Sequence, residues 1–147
     1  MKLIEALKLV AGDGYAYCAT PYSKYPGGMY AAYVDACKAS AWCLKNGVRV
    51  FCPIAHSHPI AKYGEIDPVS HEIWLDADAP LMRAANGIIV VQMPTWRESY
   101  GVTHEIKVFA EANKPMCYLP WPLPEGDCRN RSQFDRVMAM TDLELSA

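Results

Sequence analysis

Apolar positions fall along this chain in short runs that alternate between helical spacing and unbroken or period-two stretches, and each run predicts an element. Leu3, Ile4, Leu7 and Val10 share one helical face and predict a short amphipathic helix at the start. Residues 15–20, YAYCAT, read as a first strand that ends in a turn-rich loop over 20–28, with Pro21, Pro26, Gly27 and Gly28. A long helix is expected from about 29 to 46, with Tyr30, Val34, Cys37, Ala41 and Leu44 on its inner face and Gly47 as its stop. Residues 48–52, VRVFC, read as a second strand. The stretch 53–68 has no clear periodicity and reads as a long polar loop, of the kind that often carries function. Ser70 is suited to cap a helix through Ile73, Trp74, Ala77 and Leu81, which Pro80 is expected to bend or split.

Residues 87–92 form the most apolar run, with no polar alternation, which suits a strand buried on both faces of a parallel sheet. A helix follows, capped by Ser99 and ending near Lys114, and residues 115–119 make a last strand. Beyond it lies a proline-rich stretch, and a final helix is expected over 132–140. The β-α-β-α-β-α-β alternation predicts one α/β domain over residues 1–147. It is a doubly wound, flavodoxin- or Rossmann-like, mainly parallel sheet of four to five strands with helices on both faces. Ligands in such folds bind at the carboxyl ends of the strands, here the loops 20–28, 53–68, 93–101 and 120–126.

Composition narrows the function classes. With 147 residues, 52% hydrophobic and 20% charged, the chain can bury one sizeable core. A net charge of −2 with no basic run argues against a nucleic-acid polymer as partner. No apolar stretch approaches a membrane span, and the first residues make a poor signal peptide, so a cytoplasmic protein is expected. Six scattered cysteines without a C-x-x-C pair read as reduced thiols, four of them (Cys18, Cys43, Cys52 and Cys117) buried beside apolar segments.

The residue that asks for chemistry is Glu105. In the helix after Ser99 it shares a face with Val102 and Phe109, so an acid sits on the buried stripe one turn inside a Ser/Gly opening. That arrangement suits either a half-exposed acid at the edge of the stripe or a catalytic carboxylate beside an anion-binding helix N-terminus. His56, His58 and His71 lack an evident third ligand at matching geometry, so neither a metal nor a cofactor is expected. His58 or Tyr63 could reach a base from the loop, and Tyr22, Trp96 and Trp121 could stack on one. His104, one residue before Glu105, reads as a surface or subunit contact.

Three stretches together carry a resemblance: Tyr17-Cys-Ala-Thr-Pro-Tyr22, Asp78-x7-Asn86 leading into the apolar strand, and Ser99-Tyr-Gly-Val-Thr-His-Glu105 followed by Lys114-Pro115. They resemble the nucleoside 2-deoxyribosyltransferase superfamily, which includes the 5′-nucleotide N-glycosidases, over roughly residues 15–119. Thr20 stands where that family's first-strand motif usually carries Gly. The resemblance implies Glu105 as the carboxylate acting at the sugar C1′, Asp78 as the group handling the base or a sugar hydroxyl, and Tyr17 beside both sugar and Glu105. It further implies that Ser99 and Gly101 hold the 5′ end of the substrate. Thr20, Tyr22 and Arg97 join them as candidate substrate-binding residues, Arg97 because it is close to Ser99 in sequence. Family members that use free nucleosides tend to have an acid where this chain has Ser99, and a serine at a helix N-terminus suits a phosphate instead. The expected activity is therefore hydrolysis of a nucleoside 5′-monophosphate. Base exchange by a deoxyribosyltransferase and non-catalytic nucleotide sensing are the alternatives. The expected partners are a nucleotide or nucleoside and further copies of the chain, as a homodimer or higher homo-oligomer.

Overall fold

The computed structural model describes residues 2–125. The helix expected over 132–140, Cys128 and the end of the 120–126 loop lie outside the described residues. The elements run α1 (Leu3–Ala11), β1 (Ala16–Ala19), α2 (Met29–Lys45), β2 (Val50–Phe51), α3 (Pro53–Gly64), α4 (His71–Ala84), β3 (Gly87–Val91), α5 (Tyr100–Glu111) and β4 (Met116–Leu119). The four strands are all parallel in the order β2-β1-β3-β4. This is the expected doubly wound α/β sheet. No described helix is long and apolar enough to cross a membrane.

Alternation along the two central strands divides the core between the two faces of the sheet. Ala16, Cys18, Ile89 and Val91 point to one face and pack with Leu7 and Val10 of α1 and the alanines of α2. Tyr17, Ala19, Ile88 and Val90 point to the other and meet Met82 of α4 and Val102 and Phe109 of α5. α1 crosses the start of β3 so closely that a Cβ at Gly87 would lie 2.6 Å from the Pro115 carbonyl oxygen and 2.7 Å from Val10. Cys18, Cys43 and Cys52 are buried thiols, whereas Cys37 and Cys117 are only partly covered.

The helices depart from the expected pattern in three places. On α2 the buried residues are Ala32, Ala36, Ala39, Trp42 and Cys43, while Tyr30 and Leu44 are 64% and 56% exposed. The buried face is built mainly of small side chains together with Trp42, and Tyr30 and Leu44 lie on the outer side. The expected loop over 53–68 is largely a helix. Pro53 occupies its first position, where the missing N–H costs nothing, and its buried residues are Pro53, Ser57 and Ala61. α4 is not split into two pieces but runs as one helix with Pro80 inside it. The carbonyls of its last turn are held from outside: the Lys114 ammonium donates to Met82, Arg83 and Ala85, and the Tyr15 hydroxyl donates to Leu81. Those bonds secure the short segment beyond the proline. α5 ends on Asn113 with φ 55°, a left-handed residue that stops the helix before Lys114-Pro115.

Candidate active site

The chain winds one way from β1 to β2 and the other way from β3 to β4, so the connections diverge at the carboxyl ends of β1 and β3. A crevice is expected at that switch point. A cavity of about 130 Å³ lies there, walled by the end of β1, the starts of α3 and α5, and α4. An apolar cavity of about 150 Å³ holds a benzene ring. The enclosed part therefore accepts one ring of a ligand, and the remainder must lie in the open mouth.

Tyr17, Thr20, Tyr22, Asp78, Ser99, Gly101 and Glu105 all line this cavity. Arg97 does not. Residues 94–98 form two successive turns, closed by Trp96 N–H to Met93 O and Glu98 N–H to Thr95 O. They turn Arg97 outward, with its guanidinium 5.1 Å from the Trp96 ring. Sequence adjacency to Ser99 does not bring it to the site.

Tyr17 is fully buried because β1 aims it at α5, where its ring lies 5.7 Å from Phe109. Its hydroxyl has no hydrogen-bond partner. Glu105 extends from α5 to the same place and is 8% exposed. The hydroxyl lies near the Glu105 carboxyl without forming a hydrogen bond to it. Burial, then the negative charges of Glu105 and Asp78, push the Tyr17 phenol upward, so it stays a neutral donor. Burial likewise pushes the Glu105 carboxyl well above its ordinary value; the charge of Asp78 adds to this and Tyr17 opposes it. Asp78 projects from α4 and is raised to about 6 by burial, with His56 pulling the other way. Two acids with raised values beside a buried phenol in a cleft are the kind of perturbed group that functional sites collect.

The start of α5 forms another part of the wall. Ser99 caps the helix by accepting the Val102 N–H at 3.3 Å, which leaves the N–H groups of Tyr100 and Gly101 without partners among the described residues. Tyr22 is fixed as a wall by donating to or accepting from Nδ1 of His58 at 2.6 Å, and His58 in turn stacks on Tyr33. Burial and Lys62 lower the His58 value, favouring its neutral form, so His58 positions Tyr22 and does not itself line the cavity. Tyr63 is 80% exposed and also lies off the cavity, and Trp96 and Trp121 pack against the core. Among the described residues no group of three or more His, Cys, Asp or Glu side chains is placed to hold a metal ion.

Several cavity residues were not expected, His104, His71 and Trp74 among them. His104 lines the wall because the cavity wraps around more than one side of the first turn of α5. His71 and Trp74 reach it because the start of α4 leans against the start of α5, where the His71 and Tyr100 rings stack 4.4 Å apart. The serine caps at 70 and 99 were the available signal for two helix starts, but not for their meeting.

No curated protein matches the chain. A family model described as a domain of unknown function, DUF1937, matches residues 14–119, which span the sheet from β1 to β4 and every cavity residue named above. The chain therefore belongs to the DUF1937 family.

Proposed function

We propose that the chain hydrolyses the N-glycosidic bond of a nucleoside 5′-monophosphate. The observation that carries this reading is the buried Glu105 carboxyl facing the unpartnered Tyr17 hydroxyl in a cavity shared with Asp78. The resemblance to the nucleoside 2-deoxyribosyltransferase superfamily supports the same roles. In the reaction the bond from C1′ to the base nitrogen breaks and positive charge develops at C1′. Glu105 stabilises that charge, or forms a covalent bond to C1′ that water later replaces. An ionised carboxylate is costly at this buried position, and a developing cation beside it removes that cost. The interaction is therefore stronger in the transition state than in the empty site. Asp78, raised to about 6, holds a proton over enough of the neutral range to deliver it to the departing base. The Tyr17 hydroxyl orients the carboxylate or the sugar. Water supplies the final oxygen, and the products are free base and sugar 5-phosphate.

A panel of nucleosides and 5′-monophosphates, each with and without an acceptor base, tests the reading. Base released from monophosphates alone agrees with it. Base exchange would replace it with transfer, and binding without turnover would replace it with sensing. Asp78→Asn is expected to lower kcat about a hundredfold and to flatten the pH profile near 6, since a fixed amide cannot deliver the proton. An unchanged rate on a purified, folded variant would remove Asp78 from this role. Ser99→Asp keeps a good helix cap but sets a carboxylate where the phosphate would rest. It should weaken monophosphates at least about tenfold more than the matching nucleosides, read as a KM ratio, and equal losses would count against a phosphate there.

A further inference from the structure

α4 and α5 begin side by side at the mouth of the cavity, and three rings bridge them. His71 stacks on Tyr100 at 4.4 Å and 13°, and Tyr100 lies parallel to His104 at 6.3 Å and 6°. All three line the cavity, and none of their side-chain polar atoms has a hydrogen-bond partner among the described residues. The first N–H groups of both helices are likewise unpaired: His71 and Glu72 in α4, Tyr100 and Gly101 in α5. Two helix N-termini in contact place two positive dipole ends together, an arrangement that an anion relieves. Among the described residues the wall carries no Lys or Arg, and His71 and His104 are the basic side chains on it. The two acids, Asp78 and Glu105, lie on the same wall, and Glu72 at the start of α4 stays outside it. An occupant is indicated independently of the helix ends, because Tyr17, whose wholly buried hydroxyl has no partner, is among the residues lining this cavity.

We propose that His71 and His104 complete the seat of the substrate phosphate, bridging the N-termini of α4 and α5, while Tyr100 holds the two imidazoles parallel. The inference rests on the phosphorylated substrate proposed above and names the side chains that recognise it. The ladder suits an anion better than a base. The His71 ring stacks on Tyr100 and the His104 ring lies parallel to it, and each imidazole carries ring nitrogens that can donate to an anion. The phosphate would then sit at the helix starts and direct C1′ inward to Glu105.

Binding of ribose 5-phosphate, 2-deoxyribose 5-phosphate and inorganic phosphate to the full chain, measured by calorimetry, tests this, with unphosphorylated nucleosides as the control. His71→Phe and His104→Phe keep a ring against Tyr100 and remove the N–H. Each is expected to weaken the phosphorylated probes about tenfold, as loss of one hydrogen bond to a charged group implies, and to leave nucleosides within about twofold. Gln at either position retains a donor and should recover most of the binding, which separates loss of the N–H from a packing defect. Equal weakening of nucleosides and phosphorylated probes, no change in either, or no binding of phosphorylated probes to the wild type would each overturn the proposal. If His-dependent binding is found but no monophosphate releases base, the seat stands and the hydrolase reading falls. If base is released from nucleosides and monophosphates alike, the glycosidic chemistry stands and the seat falls.

Discussion

Glu105→Gln is expected to lower turnover of the monophosphate by roughly a thousandfold and to leave the folded protein more stable at neutral pH. Both effects have one cause. The Glu105 carboxyl is almost fully buried, and burial is the main cause of its raised value, so its ionised form is costly in the empty site and, in the proposed reaction, useful when charge appears at C1′. Glutamine keeps the shape and removes the charge. The sign of the pH dependence follows from the direction of the shifts. An acid whose folded value is raised above its ordinary value contributes stability that is fully present below the ordinary value and is lost as pH rises through the folded value. For Asp78 that window runs from 3.8 to about 6, and for Glu105 it opens at 4.5 and extends further upward. The wild-type Tm should therefore fall as pH is raised from about 4 through about 6, and keep falling beyond that for Glu105. Asp78 is partly solvated, and its share of the loss is about 1–2 kcal/mol after screening. In Glu105→Gln the fall should be visibly smaller. Thermal melts across this range, with base release assayed on the same samples, check both halves. Full activity in the variant, or a lower Tm than wild type at neutral pH, would show that Glu105 is an ordinary structural acid.

That Glu105 could be picked out from sequence depended on contrast. A charged residue on the stripe of Val102 and Phe109, after a serine cap, conflicts with simple amphipathic packing, and the structure places it facing the cavity. The strands were legible for a related reason: an apolar run such as Gly87–Val91 has few other uses in a chain of this size. Where contrast was missing, the pattern misled. α3 buries Pro53, Ser57 and Ala61, so its inner stripe is small and partly polar and resembles a loop. α2 carries apolar residues around much of its circumference, and only the closeness of its approach to the sheet decides that the alanines turn inward. The His71–Tyr100–His104 ladder depends on how two helix starts meet, a tertiary relation that periodicity within one helix does not encode. Arg97 shows the converse limit: a side chain two residues from Ser99 is directed away by the turns that carry it.

Lys114→Met is expected to destabilise the fold by about 3 kcal/mol, the largest effect on stability foreseen for a residue outside the cavity. The Lys114 ammonium donates to the carbonyls of Met82, Arg83 and Ala85 at 3.2, 2.6 and 2.7 Å. These groups end α4, where the helix itself can no longer supply donors. A cation there also opposes the negative end of the helix dipole, and it lies 5.5 Å from the Phe109 ring. Methionine fills similar space but leaves three carbonyls to find water at a partly buried helix end. Taking about 1 kcal/mol for each lost bond, at the low end because the site is partly solvated, the Tm should drop by on the order of 10 °C. Lys114→Arg, which restores donors of the same charge, should recover part of the loss. The consequence reaches the site through geometry. Lys114 follows α5 and holds the end of α4, and Phe109 packs against Tyr17, so the contact keeps the helices bearing Asp78 and Glu105 in register. Below its lowered Tm, Lys114→Met should lose kcat more than substrate binding, because the carboxyls shift relative to each other while the proposed phosphate end at Ser99 keeps its cap. A Tm within about two degrees of wild type would mean that water caps α4 equally well and that the Lys-Pro pair serves some other purpose.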